Sequence, residues 1–177
     1  VSKVKGNGGE REVAALIQPW WSKVEPGATF VRTPLSGGWG KTREVRAGFK
    51  ASGDLMTTAT QFPFTIEVKR REKWTLERLL AGKASPVWPW WKQAQTQADE
   101  MGLTPLLWIR KNRQPWRIIM PHSFALLKGL ITARSRVHVW TCSPHLVADL
   151  FGEQVPAMIA AEDFLKCDPK RFLLTKW

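Results

Sequence analysis

A chain of 177 residues is long enough to bury the core of one domain, and 44% hydrophobic content excludes wholesale disorder. No apolar run approaches the ~20 residues that span a bilayer, and residues 1–5 (Val-Ser-Lys-Val-Lys) lack the apolar stretch of a signal peptide. A cytoplasmic, intracellular protein without a membrane partner is therefore expected. The 27 Lys and Arg against 15 Asp and Glu give a net charge of +12, which points to a polyanion such as nucleic acid. The blander alternative is charge serving solubility alone.

Cys142 and Cys167 cannot build a disulfide framework, and neither they nor His122, His138 and His145 follow a zinc-ligand spacing. Eleven Trp and no Tyr imply that some indoles lie near the surface, where they stack on bases or fill a partner interface.

In chain order, Asn7-Gly8-Gly9-Glu10 reads as a capping box, with Val13, Leu16, Ile17 and Trp20 following at helical spacing. A first helix is expected from about Gly8 to Pro19, which ends or kinks it. Glu10 falls close to the apolar stripe, so its carboxylate points toward the body of the protein. Residues 27–33 read as a strand carrying Arg32. Residues 34–43 hold three glycines and flanking basic residues, a loop that could follow DNA or be an ordinary surface turn; no Walker A spacing is present.

Thr, Ile, Val and Phe without helical spacing make residues 57–60 and 62–68 adjacent strands, joined by a tight turn near residues 59–63. Leu76, Leu79 and Leu80 mark a short helix, and Trp90, Trp91, Ala94, Gln97, Ala98 and Met101 a longer one that stops at Gly102. Residues 104–109 form a central strand with residues 116–120 as its partner. Residues 122–131 read as helix, residues 137–141 as a strand and Ser143-Pro144 as the start of a helix to about Phe151. The tail, residues 157–177, reads as one or two short helices. This order predicts an α/β fold, a single domain with a mixed central sheet flanked by helices.

Chemistry concentrates in residues 53–69. Glu67 and Lys69, two apart on a strand, project from one face while Val68 points away, and Asp54 enters from the neighbouring strand. Two carboxylates and an ammonium at a sheet edge suit a hard cation such as Mg²⁺. Against this, Asp and Glu-x-Lys at such spacing also arise by chance in a charged chain, and a Glu–Lys pair on a strand is often a solvated surface pair.

Glu10, Asp54, Glu67 and Lys69 together resemble the PD-(D/E)XK nuclease signature, with Gly53 where the family pattern writes Pro. Gln93 looks like the glutamine that often follows the Glu-x-Lys strand, with Gln95 and Gln97 as competitors. Within that superfamily, residues 3–110 resemble the archaeal-type Holliday junction resolvases, which phages also encode. The matching positions are Lys5-Gly6 ahead of Glu10-Arg11-Glu12, Arg32, Ser36-Gly37, Gly53-Asp54 and Ile66-Glu67-Val68-Lys69. Residues 38–52 and the C-terminal third have no counterpart.

The resemblance implies a restriction-endonuclease-like core over residues 3–121 with an extension from residue 122. It implies catalytic Glu10, Asp54, Glu67 and Lys69, and Mg²⁺ (or Mn²⁺) held by Glu10, Asp54, Glu67 and the Val68 carbonyl. Substrate contacts fall to Lys5, Arg32, Ser36, Lys41, Arg43, Arg70, Arg71 and Gln93. The expected protein is a homodimeric, metal-dependent endonuclease resolving four-way DNA junctions, in the nucleoid or in a phage-infected host, with no small-molecule cofactor. The rivals are another superfamily nuclease acting on duplex DNA, and a basic DNA-binding module without catalysis.

Overall fold

The computed structural model describes residues 2–34, 48–80, 83, 85–130, 138–139 and 156–173. Ser36, Lys41, Arg43, Cys142, His145 and the helix expected from Ser143 lie outside the described residues, as does the side chain of Lys5.

Helix α1 runs over Ser2–Trp21. It starts well before Gly8, so Asn7 lies inside it and not at its start. The glycines read as a helix start serve another purpose. A Cβ on Gly9 would stand 3.4 Å from Val68, Arg70 and Trp116, so the bare backbone lets the helix lie close against the sheet. Pro19 does not end α1 either. The helix continues two residues further to Trp21, and the Gln18 carbonyl accepts from both the Ser22 N–H (2.9 Å) and its hydroxyl (2.7 Å).

Three short strands follow: β1 (Phe30–Arg32), β2 (Lys50–Ser52) and β3 (Leu55–Thr57), an antiparallel sheet in the order β1-β3-β2. Strand β4 (Phe64–Arg70) opens a second, mixed sheet. The turn expected before β4 is present, with its Thr60 and Gln61 N–H groups donating to the Glu25 carboxylate. It does not, however, join neighbours in one sheet as expected, because β3 pairs with β1 and β2 instead.

The second sheet continues through α2 (Leu76–Leu80), α3 (Val87–Met101), β5 (Thr104–Arg110), β6 (Arg117–Pro121), α4 (His122–Leu127), β7 (His138–Val139) and β8 (Pro156–Ala160). Its order is β4-β5-β6-β8-β7; β4 and β5 are parallel and the other pairs antiparallel. Gly102 closes α3 in the left-handed conformation (φ 63°), as its sequence position suggested. Helix α4 stops short of the expected residue 131. The tail was read as helix throughout, yet β8 comes first, and only then α5 (Ala161–Lys166) and a 3₁₀ turn over Pro169–Phe172. Five residues, Pro-Ala-Met-Ile-Ala, carry too little periodicity to separate a buried strand from a helix.

Alternation along the strands splits the core between two faces. Phe64, Ile66, Val68, Trp108 and Ile118 meet α1 and the C-terminal elements, while Leu107, Ile109 and Ile119 meet α3 with Trp74, Leu79 and Trp91. Trp20, Trp21, Trp74, Trp91, Trp108 and Trp116 are each at most 7% exposed. These six indoles are core, while Trp88 and Trp90 are partly exposed.

Candidate active site

Strand β4 is the edge of the mixed sheet, and its free edge organises the site. In a parallel pair the backbone groups of alternate residues face the neighbour, which leaves the others unpaired. Segments 52–54 take up those groups. The Ser52 hydroxyl donates to the Phe64 carbonyl, the Asp54 N–H donates to the Ile66 carbonyl (2.7 Å), and the Val68 N–H donates to Asp54 Oδ2 (2.8 Å). The Val68 carbonyl faces the same edge, beside Asp54, by the same alternation.

Gly53 makes this docking possible. Its φ is +74°, and a Cβ there would sit 2.4 Å from the Ile66 carbonyl oxygen. Proline, with φ locked near −65°, cannot take that conformation, which explains the departure from the Pro of the signature. Thr33 secures the segment from the other side, its N–H donating to the Asp54 carbonyl (2.9 Å) and its hydroxyl to the Gly53 carbonyl (3.0 Å). Nothing in a single sequence marks Thr33 or Ser52, because both act only once two sheets meet.

Glu67 is 1% exposed, and one of its carboxylate oxygens, Oε1, accepts from Lys69 Nζ. Gln93 of α3 reaches the same ammonium (Oε1, 3.4 Å), which singles it out from Gln95 and Gln97. The other oxygen, Glu67 Oε2, is buried with no hydrogen-bond partner. Asp54 is buried too; loss of solvent and then the Glu67 charge push its carboxyl up to about 7, against the Val68 N–H and Lys69. Burial likewise raises Glu67, against the pull of Lys69.

Glu10, buried on α1, adds its charge to both and is paired with Arg32 of β1. Three acidic side chains therefore converge electrostatically, and two of them lean on a nearby cation. Among the described residues no group of three or more His, Cys, Asp or Glu side chains stands ready as a metal cage.

Two other expected contacts lie elsewhere. Arg70 projects from the opposite face of β4, where it is held by Asn112 (2.9 Å) and Glu12 (3.4 Å). Arg71 follows the strand end and donates to the Arg70 carbonyl (3.3 Å). Glu12, a matching position of the resolvase resemblance, also pairs with Arg110 and so ties α1 to both β4 and β5.

An acidic residue docked on the open edge of a mixed sheet, beside Glu-x-Lys on the edge strand and a glutamine on the next helix, has the arrangement of the PD-(D/E)XK signature. A family model described as "Phage putative PDDEXK endonuclease" matches residues 1–151, and the chain belongs to that family. No curated protein and no solved structure matches the chain.

The nucleases of this superfamily use divalent metals, and the donors here fit one. Buried oxygens crowd together, their charges oppose one another, and Glu67 Oε2 has no proton donor to satisfy it. An all-oxygen set of two carboxylates and a carbonyl suits a hard cation. Among the described residues no helix is long and apolar enough to cross a membrane.

Proposed function

We propose that this nuclease is a metal-dependent, structure-selective DNA endonuclease that resolves four-way junctions, using Mg²⁺ or in its place Mn²⁺. The observation that carries the metal reading is Glu67 Oε2, a buried acceptor left without a donor in a cluster of like charges. Asp54, Glu67 and the Val68 carbonyl would hold the ion, with Glu10 reaching it as its pairing with Arg32 loosens. A bound divalent ion neutralises the scissile phosphate and lowers the pKa of an attacking water.

The chain's own groups do the rest. Lys69, oriented by Glu67 and Gln93, is placed to align that water and to offset charge developing on the phosphate. Arg32, on the strand beside the Asp54 segment, is placed to take a phosphate oxygen once Glu10 turns to the ion. The junction reading is supported by the resolvase-like order of Lys5, Glu10, Arg32, Asp54, Glu67 and Lys69, and by a basic excess suited to backbone contacts. Symmetric resolution requires two cuts, hence a homodimer.

The test is cleavage of an end-labelled four-way junction and a linear duplex of equal length, with Mg²⁺ and with EDTA. Junction cutting that needs Mg²⁺ is expected. Asp54→Asn or Glu67→Gln should lower it roughly 10³-fold or more while junction binding persists. Faster cutting of the linear duplex would leave a nuclease of another specificity. Intact DNA under all conditions would leave only a binding module.

A further inference from the structure

Beyond the ends of β4, β5 and β6 lies a second concavity of about 190 Å³, away from the carboxylates. Arg110, Lys111 and Arg117 line it with Trp74 and Gln114, and Glu77 is the one acid among the lining residues. Its hydrogen-bonding balance is lopsided. One buried donor on its lining residues, the Trp74 indole Nε1, has no acceptor. The Arg110 side chain turns to the other face of the sheet, where Nη2 pairs with Glu12 and the guanidinium lies 4.5 Å over the Trp116 ring. Neither Lys111 nor Arg117 has an ion-pair partner among the described residues. Buried donors without acceptors are costly, and a site with surplus N–H groups and surplus positive charge is matched by an oxyanion.

Sheet register fixes where this cavity stands relative to the catalytic groups. Lys69 pairs with Ile109, and Ile109 with Arg117, so Lys69 and Arg117 share one face of the sheet, two strands apart. Two strand spacings are roughly 10 Å.

We propose that the cavity of Trp74, Lys111 and Arg117 binds a backbone phosphate of the substrate strand close to the cut. It rests on the nuclease reading and adds to it an anchoring subsite separate from the metal centre. Trp74 would supply an oriented donor, and Lys111 and Arg117 the charge.

The experiment is fluorescence anisotropy of a labelled four-way junction in EDTA, where nothing is cut, across 50 to 200 mM salt (roughly the range over which counterion release dominates). Arg117→Gln and Lys111→Gln should each flatten the slope of log K against log salt by about 0.9, one phosphate contact apiece. Lys170→Gln, an exposed charge-matched change on the 3₁₀ turn, should leave the slope in place. Trp74→Phe keeps the ring and deletes the indole N–H; it should weaken binding up to about tenfold without changing the slope. Circular dichroism melts of each variant establish that it is folded.

Slopes for the Arg117 and Lys111 variants equal to that of Lys170→Gln, with Trp74→Phe binding as tightly as the parent, would overturn the subsite alone. A parent that binds no DNA would overturn the nuclease reading together with it.

Discussion

At the scale of single residues, the site depends on a glycine as much as on its acids. Gly53 carries a positive φ and has the Ile66 carbonyl where a side chain would begin, so substitution moves the backbone that delivers Asp54. Gly53→Ala should destabilise the protein by more than ~1 kcal/mol and cut cleavage sharply. Gly53→Pro, although it restores the letter of the signature, should be worse on both counts, as thermal melts and the junction assay would record.

The two buried carboxyls give a second prediction. Asp54 keeps its proton to about pH 7 when folded, against 3.8 as its ordinary value, so between those values the folded state binds the extra proton. Stability of the metal-free protein should therefore fall as pH rises through that window, by up to a few kcal/mol from this group. Asp54→Asn removes that part of the slope. A divalent ion, which favours the ionised carboxylates, should raise the melting temperature more at pH 8 than at pH 5. Melts with metal and with EDTA at both values check the sign; equal metal effects would show that the carboxyls do not titrate with the ion.

Among the elements, the C-terminal pieces are held by aromatic contacts to α1. The Trp20 indole N–H donates to the Cys167 carbonyl (2.9 Å), and its ring lies 5.1 Å from Phe164 and 5.6 Å from Phe172. Both phenylalanines also contact Phe64 at the start of β4. Trp20→Ala removes a buried ring and leaves a carbonyl without its donor, so a loss of about 3–5 kcal/mol is expected, read by denaturant unfolding. The cleavage rate of the fraction still folded should change far less, because Trp20 touches none of Glu10, Asp54, Glu67 or Lys69. An indole adds large apolar area to a core as readily as it stacks on a base.

For the whole molecule, the pairing of two sheets decides what the nuclease can do. The small antiparallel sheet lays its 52–54 corner on the open edge of the mixed sheet, and the site is the seam. A two-fold assembly would set two such seams against the arms of one junction. Sedimentation at micromolar concentration should give twice the 20.2 kDa chain mass if junction resolution is the activity. A monomer that still made paired cuts would overturn the symmetric mechanism.

Much of this was written in local chemistry. The α/β class, the α3 boundary at Gly102, the central β5 and the projection of Glu67 and Lys69 from one face follow from periodicity and strand alternation over a few neighbours. The acidic set Glu10, Asp54 and Glu67 could be listed for the same reason, since residue type alone restricts which groups can meet a cation. What a linear reading could not supply was partnership across distance. It joined β3 to β4 because they are adjacent in the chain, missed β8 because buried strands and short helices share an apolar composition, and took Gly8-Gly9 for a helix start. Which sheet a strand enters, and whether a glycine ends a helix or admits a neighbour, is fixed by the packing energy of segments far apart in sequence. Only the fold could settle that.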